Sequence, residues 1–178
     1  CKSRPEPAQT ESGFHDVNRF ITLGPHPGTD HVSIPDYVAA LATGRQVGGT
    51  IPPKVAKEIH SRADRALDLV STLDYEGSKE LRLLLNDIRS MALLGKYYAH
   101  KIPGATELAL YRETRKPAHQ QTAVQELKAA ASFWDRYTAS ARTSYRNPLW
   151  TNRVGYVDWD KLTKEVYKDI RIAQEPLR

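Results

Sequence analysis

The sequence predicts an all-α protein, an antiparallel bundle of about four long helices behind an irregular leading segment. Three observations predict it. From residue 51 onward, apolar residues recur at three- and four-residue spacing over long stretches. Proline and glycine fall mainly between those stretches. No run alternates apolar with polar residues as a half-buried strand requires.

Residues 1–50 are set apart from 51–178. Gly and Pro recur there, with Pro5, Pro7, Gly24, Pro25, Pro27 and Gly28 among them, and such punctuation breaks long elements. Two short pieces stand out. The stretch 13–23 carries Phe14, Val17, Phe20 and Ile21 at helical spacing. The stretch 35–43 opens on Pro35 and stops at Gly44, a natural helix C-cap. With little long-range pattern of its own, this leading half reads as a linker-like segment that wraps onto a neighbour, and 51–178 as the bundle domain.

Pro52-Pro53 starts the first long helix, with Val55, Ile59, Ala63, Leu67, Val70 and Leu73 on one stripe and Gly77 closing it. Ser78 is the N-cap of the second. That helix is apolar nearly all round from Leu81 to Tyr98, which predicts the most buried helix of the protein. Pro103-Gly104 interrupts it, and the missing amide together with the clash against the Ala99 carbonyl predicts a kink or break before spacing resumes at Ala105, Leu108 and Tyr111. The third helix spans 117–144, with Val124, Leu127, Ala130 or Ala131, Trp134, Tyr137 and Ala141 inward. After a loop containing Asn147-Pro148 and Gly155, Asp158 caps a last helix bearing Trp159, Leu162, Val166, Ile170 and Ala173. A tetratricopeptide-like stretch runs from Leu94 to Leu127. It lacks a second copy at a period near 34 residues, so it reads as a helical hairpin, not a repeat array.

Composition excludes several classes of protein. Of 178 residues, 40% are hydrophobic and 26% charged, which fits a globular chain and not a disordered one. No apolar run reaches the roughly 18 residues of a bilayer span. The single Cys excludes an internal disulfide framework and a finger-type zinc site. The net charge of +5 is spread through alternating acidic and basic positions, as in Lys164-Glu165 and Lys168-Asp169. That is the pattern of solvated helix faces, so nucleic acid is not the expected partner.

Constellations for chemistry are few. His26, Asp30 and His31 offer imidazole and carboxylate, but their spacing matches no defined metal geometry, so neither metal nor cofactor is expected. His60, His100 and His119 each stand alone on a helix. Asp64, Asp68 and Asp87, near Arg62, Arg65 and Arg89, read as surface ion pairs. Asp158 and Asp160 sit at a helix start, where the dipole favours them without a catalytic role. No nucleophile elbow, phosphate loop or carboxylate pair emerges, and no catalytic residue is assigned. The loop from Tyr145 to Trp159 is the richest feature: aromatic planes stack on sugar rings while Arg and Asn bind hydroxyls. Trp150, Arg153 and Tyr156 are therefore the candidate glycan contacts. The same aromatics also read as packing groups, Tyr156 and Trp159 anchoring the last helix and Trp150 meeting another domain. Cys1 is either a lipid-bearing residue or the point where a longer chain was cut.

The segment Leu93-Leu94-Gly95-Lys96-Tyr97-Tyr98-Ala99-His100-Lys101-Ile102, with Ala109-Leu110-Tyr111-Arg112-Glu113-Thr114, resembles a helical region of large secreted bacterial proteins. So does Gly155-Tyr156-Val157-Asp158-Trp159-Asp160-Lys161-Leu162 with Val166 and Asp169-Ile170. Those proteins look like glycoside hydrolases, often described as carbohydrate-binding, that place a helical domain after a catalytic-type barrel. The opening Cys1-Lys2-Ser3-Arg4-Pro5 and Gly13-Phe14-His15-Asp16-Val17 is similar to the stretch joining the two. The resemblance implies a non-catalytic helical accessory domain. Its partners would be an upstream catalytic-type domain of the same polypeptide, a polysaccharide, or a second copy in a homodimer. It also implies a secreted, periplasmic or outer-membrane-associated location. The alternatives are a free-standing lipoprotein or glycan-binding module anchored through Cys1, and a helical dimerisation or protein-interaction domain.

Overall fold

The computed structural model describes residues 14–74, 77–151 and 155–177. Among them lie six helices: α1 (Val17–Thr22), α2 (Ile34–Ala42), α3 (Pro52–Thr72), α4 (Lys79–Thr114), α5 (Pro117–Ala141) and α6 (Trp159–Gln174). A single antiparallel hairpin joins β1 (Leu149–Thr151) to β2 (Gly155–Val157). The protein is all-α, and its four long helices run antiparallel in chain order. Side-chain pairs give the directions: Lys96 meets Asp64 while His100 meets His60, Asn86 meets Ser144 while His100 meets Glu126, and Trp134 meets Thr163 while Gln120 meets Ala173.

Local chemistry sets the helix ends. The Asp16 carboxylate accepts from the Arg19 amide at 2.8 Å, and Ser33 Oγ from the Asp36 amide at 3.1 Å, satisfying free donors of the first turn. Ser78 and Asp158 cap α4 and α6 in the same way, as their positions in the sequence predict. Gly44 follows α2 at φ +65°, the left-handed conformation that ends a helix cheaply only at glycine. Arg115 takes that conformation at the end of α4, and Pro117 then opens α5 at its first turn. Gly49 is needed for a different reason: at φ +91° a Cβ there would collide with the Asp30 carbonyl, which accepts from the Thr50 amide at 2.9 Å. That bond folds the 24–33 loop back onto the start of α3.

Four sequence expectations change. Pro103 does not break the helix, because α4 is one 36-residue element with Pro103 inside it. Ile102, Gly104 and Ala105 are buried on either side of it, and their packing against the neighbouring helices outweighs a proline cost of about 3 kcal/mol. Gly104 is part of the reason, since a Cβ there would sit 2.9 Å from Leu127 Cγ of α5. α4 holds more buried residues than any other helix, as expected, but not where the sequence places them: Leu83, Leu84, Ile88, Met91 and Tyr98 are exposed, and burial is concentrated toward its C-terminal half. There α1 and α2 add cover to α4 that its first turns lack. α3 ends at Thr72, short of Gly77, because Ser71, Thr72, Leu73 and Asp74 are exposed and give another turn no packing to hold it. The hairpin, too short to show alternation, is the fourth change.

α4 is the axis of the molecule, with α3 and α5 along its length, α1 and α2 over its C-terminal half, and α6 against α5. Val17, Ile21, Ile34 and Val38 from the first fifty residues are seated in the same core as Tyr97, Leu108, Leu127, Trp134 and Trp159. Within that core lies a buried ion pair, Lys101 Nζ to Asp169 Oδ2 at 2.8 Å, each side chain 2% exposed. Asp169 Oδ1 also accepts from the Val17 amide at 2.7 Å, and Lys101 donates to the His15 carbonyl at 2.8 Å and to the Tyr97 hydroxyl at 3.0 Å. The Phe14 ring lies 4.1 Å from Lys101 Nζ, a cation–π contact. The network ties α1, α4 and α6 at one point. Burial pushes the Lys101 ammonium down and the Asp169 carboxyl up from their ordinary values, while their mutual attraction opposes both shifts.

Candidate functional site

The residues singled out from sequence lie on and around the hairpin. Asn147 ties it to the start of α6: its Nδ2 donates to Asp160 Oδ2 at 2.9 Å, and its Oδ1 accepts from the Trp159 amide at 2.8 Å. Tyr145 ties the approach to α4, its hydroxyl donating to the Asp87 carboxylate at 2.9 Å. In the ladder Leu149 faces Val157 and Trp150 faces Tyr156. Strand alternation then separates the two faces. Leu149 and Val157 pack on the core, whereas Trp150 and Tyr156 stand outward, 59% and 74% exposed. Cross-strand partners lie side by side, so the hairpin presents two adjacent aromatic rings to solvent. Tyr156 therefore does not anchor the last helix. Trp159 does, at 1% exposure, with its ring beneath the Arg142 guanidinium at 5.7 Å. Arg153, the third expected contact, and Cys1 lie outside the described residues.

A second constellation has no counterpart in the sequence reading, which left His60 and His100 each alone and Asp64 paired with arginine. The antiparallel register of α3 on α4 brings the two imidazoles to 5.5 Å, edge to face. Lys96, one turn before His100, donates to Asp64 Oδ1 at 2.6 Å and to His60 Nε2 at 2.7 Å. His60 Nε2 also lies 3.1 Å from Asp64 Oδ2. From the other side, Glu126 of α5 accepts from His100 Nδ1 at 2.8 Å, and Phe133 stacks on the His100 ring at 5.3 Å. The Lys96 side chain is buried under this cluster at 7% exposure, its ammonium 5.2 Å from the Phe133 ring. Its hydrogen bond holds the Asp64 carboxyl below the ordinary carboxylate value, ahead of the opposing effect of burial. The one hint in the sequence was spacing: His60 and Asp64, like Lys96 and His100, lie four apart and share a helix face.

Of these side chains His60, Asp64, His100 and Glu126 line an open groove of about 730 Å³ between α3 and α5, with α4 as its floor. A second hollow, of about 460 Å³, lies between the 20–34 segment and α3 and is lined mainly by apolar groups such as Phe20, Leu23, Val32 and Val55. His26 and Asp30 are committed locally: His26 Nδ1 lies 2.8 Å from the Pro27 carbonyl, and Asp30 accepts from the Thr50 hydroxyl at 2.9 Å. Among the described residues no three His, Cys, Asp or Glu side chains are gathered to hold a metal ion, and no helix is long and apolar enough to cross a membrane.

No protein-family description matches the sequence, and none of the curated proteins does. The fold does have a counterpart. The chain is similar to the solved structure of a GH138 enzyme targeting pectin rhamnogalacturonan II, at 15% identity and a TM-score of 0.67. The match covers 80% of this chain and 23% of that one, so this helical fold occurs as a minor part of a much longer glycoside hydrolase.

Proposed function

We propose that this chain is a non-catalytic helical accessory domain of a carbohydrate-active, glycoside-hydrolase-like protein, supporting or flanking a catalytic-type domain of the same polypeptide. The observation that carries the reading is the fold match to 23% of a GH138 enzyme. Two features of the surface support it. The outward Trp150–Tyr156 pair suits a polysaccharide ring, because aromatic planes take the C–H face of a sugar. The exposed apolar side chains at one end of α3 and α4, Leu69, Leu73, Leu84 and Met91, suit a protein neighbour. The polysaccharide is then of the pectic class, and the parent protein is an exported bacterial one.

The test has two arms. The reading frame upstream of Cys1 should encode an export signal and a catalytic-type domain, and the isolated chain should release no sugar from pectic oligosaccharides that the longer polypeptide cleaves. A reading frame that opens immediately before Cys1 with only a lipoprotein signal overturns the reading, as does hydrolysis by the isolated chain.

A further inference from the structure

We infer that the groove between α3 and α5 is a binding site for a neutral saccharide, separate from the hairpin. Its volume of about 730 Å³ falls in the range of roughly 300–1,000 Å³ typical of small-molecule sites. Its polar groups are held in place before any ligand arrives. Lys96 fixes Asp64 and His60 from beneath, and Glu126 and Phe133 fix His100 from the side. Yet the fixed groups stay open to solvent, with His60 and Asp64 side chains 43% and 47% exposed.

The charge pattern selects the ligand class. Asp64, Asp68 and Glu126 are balanced by Lys57, Arg65 and the underlying Lys96, so an anion or cation gains no net field. A sugar hydroxyl both donates and accepts, and can therefore use carboxylates and cations alike. Pro53, Ala56, Ala99 and Pro103 supply apolar wall for the C–H face of the ring. Binding here does not depend on the chain being part of a larger enzyme.

The test is a titration of the isotope-labelled whole chain with galactose, rhamnose and a galactan oligosaccharide, following the ring resonances of His60 and His100. At least one of these sugars should shift both rings saturably. Asp64→Asn and Glu126→Gln, checked for fold by circular dichroism, should each weaken binding about tenfold through the loss of a charge-assisted hydrogen bond. Trp150→Ala should leave the shifts unchanged. The inference is overturned if neither ring moves at concentrations on the order of 50 mM, where even millimolar affinity saturates. It is also overturned if both carboxylate variants bind as the parent does, if Trp150→Ala abolishes the shifts, or if galacturonic acid binds more tightly than galactose. Failure here leaves the accessory-domain reading standing, because that reading is tested by the reading frame and by hydrolysis.

Discussion

Lys101 and Asp169 illustrate how much a single residue can carry. Each is buried, and each would be costly alone, because removing one partner strands a charge away from water. Asp169→Ala should therefore destabilise the protein by about 3–5 kcal/mol in urea unfolding. The double change Lys101→Met with Asp169→Leu should recover part of that loss, since it removes both buried charges, although it leaves the Val17 amide without its acceptor and the His15 carbonyl and Tyr97 hydroxyl without the Lys101 donor. Asp64 makes a prediction in pH. The Lys96 hydrogen bond holds its folded value below the ordinary carboxylate value, so its stabilisation is present above the unfolded value and is lost as pH falls through the folded one. The stability of the parent should thus decline as acid passes below pH ~4, and Lys96→Met should shrink that decline. The carboxyl carbon resonance of Asp64 reads the same effect directly, with its midpoint moving up toward the ordinary value in the variant. At this scale the sequence showed which residues share a helix face. It could not show that His60 meets His100 or that Lys96 reaches Asp64, because those meetings depend on the register between two helices.

Among the elements, α4 departs furthest from expectation, and two adjacent residues separate propensity from packing. Pro103 lacks the amide of a helix interior, yet the helix passes through it because neighbours on both sides are buried. Pro103→Ala should restore a donor to the Ala99 carbonyl and raise stability by about 1–3 kcal/mol. Gly104→Ala should do the reverse. Alanine is the better helix former by about 1 kcal/mol, but its Cβ would lie 2.9 Å from Leu127 Cγ, and pushing α5 away costs about 1–3 kcal/mol. Urea unfolding of the two variants should therefore move in opposite directions. The hairpin shows the limit of pattern reading in another way. Three residues per strand give too few positions for alternation to be seen, and its face is decided by Leu149 and Val157 resting on the core.

For the whole molecule, the first fifty residues matter more than their composition implies. Val17, Ile21, Ile34 and Val38 enter the shared core, and burying an aliphatic side chain contributes about 1.5–3 kcal/mol. Removing residues 1–50 should therefore cost an amount comparable to the roughly 5–15 kcal/mol of a typical domain, and leave 51–178 without a cooperative thermal transition. A sharp melt of the truncated chain by circular dichroism would contradict this. What the sequence determined by itself was local in origin: the all-α class, the four long helices, the Ser78 and Asp158 caps, and the loop where Trp150 and Tyr156 stand. Those follow from periodicity, capping chemistry and turn residues, each decided within a few positions along the chain. Only the tertiary structure decided which apolar faces were covered, that α4 runs on through Pro103, and that imidazoles and carboxylates from three helices share one groove. Those outcomes depend on how one helix slides and turns against another, and that is an energy summed over contacts between residues far apart in the chain.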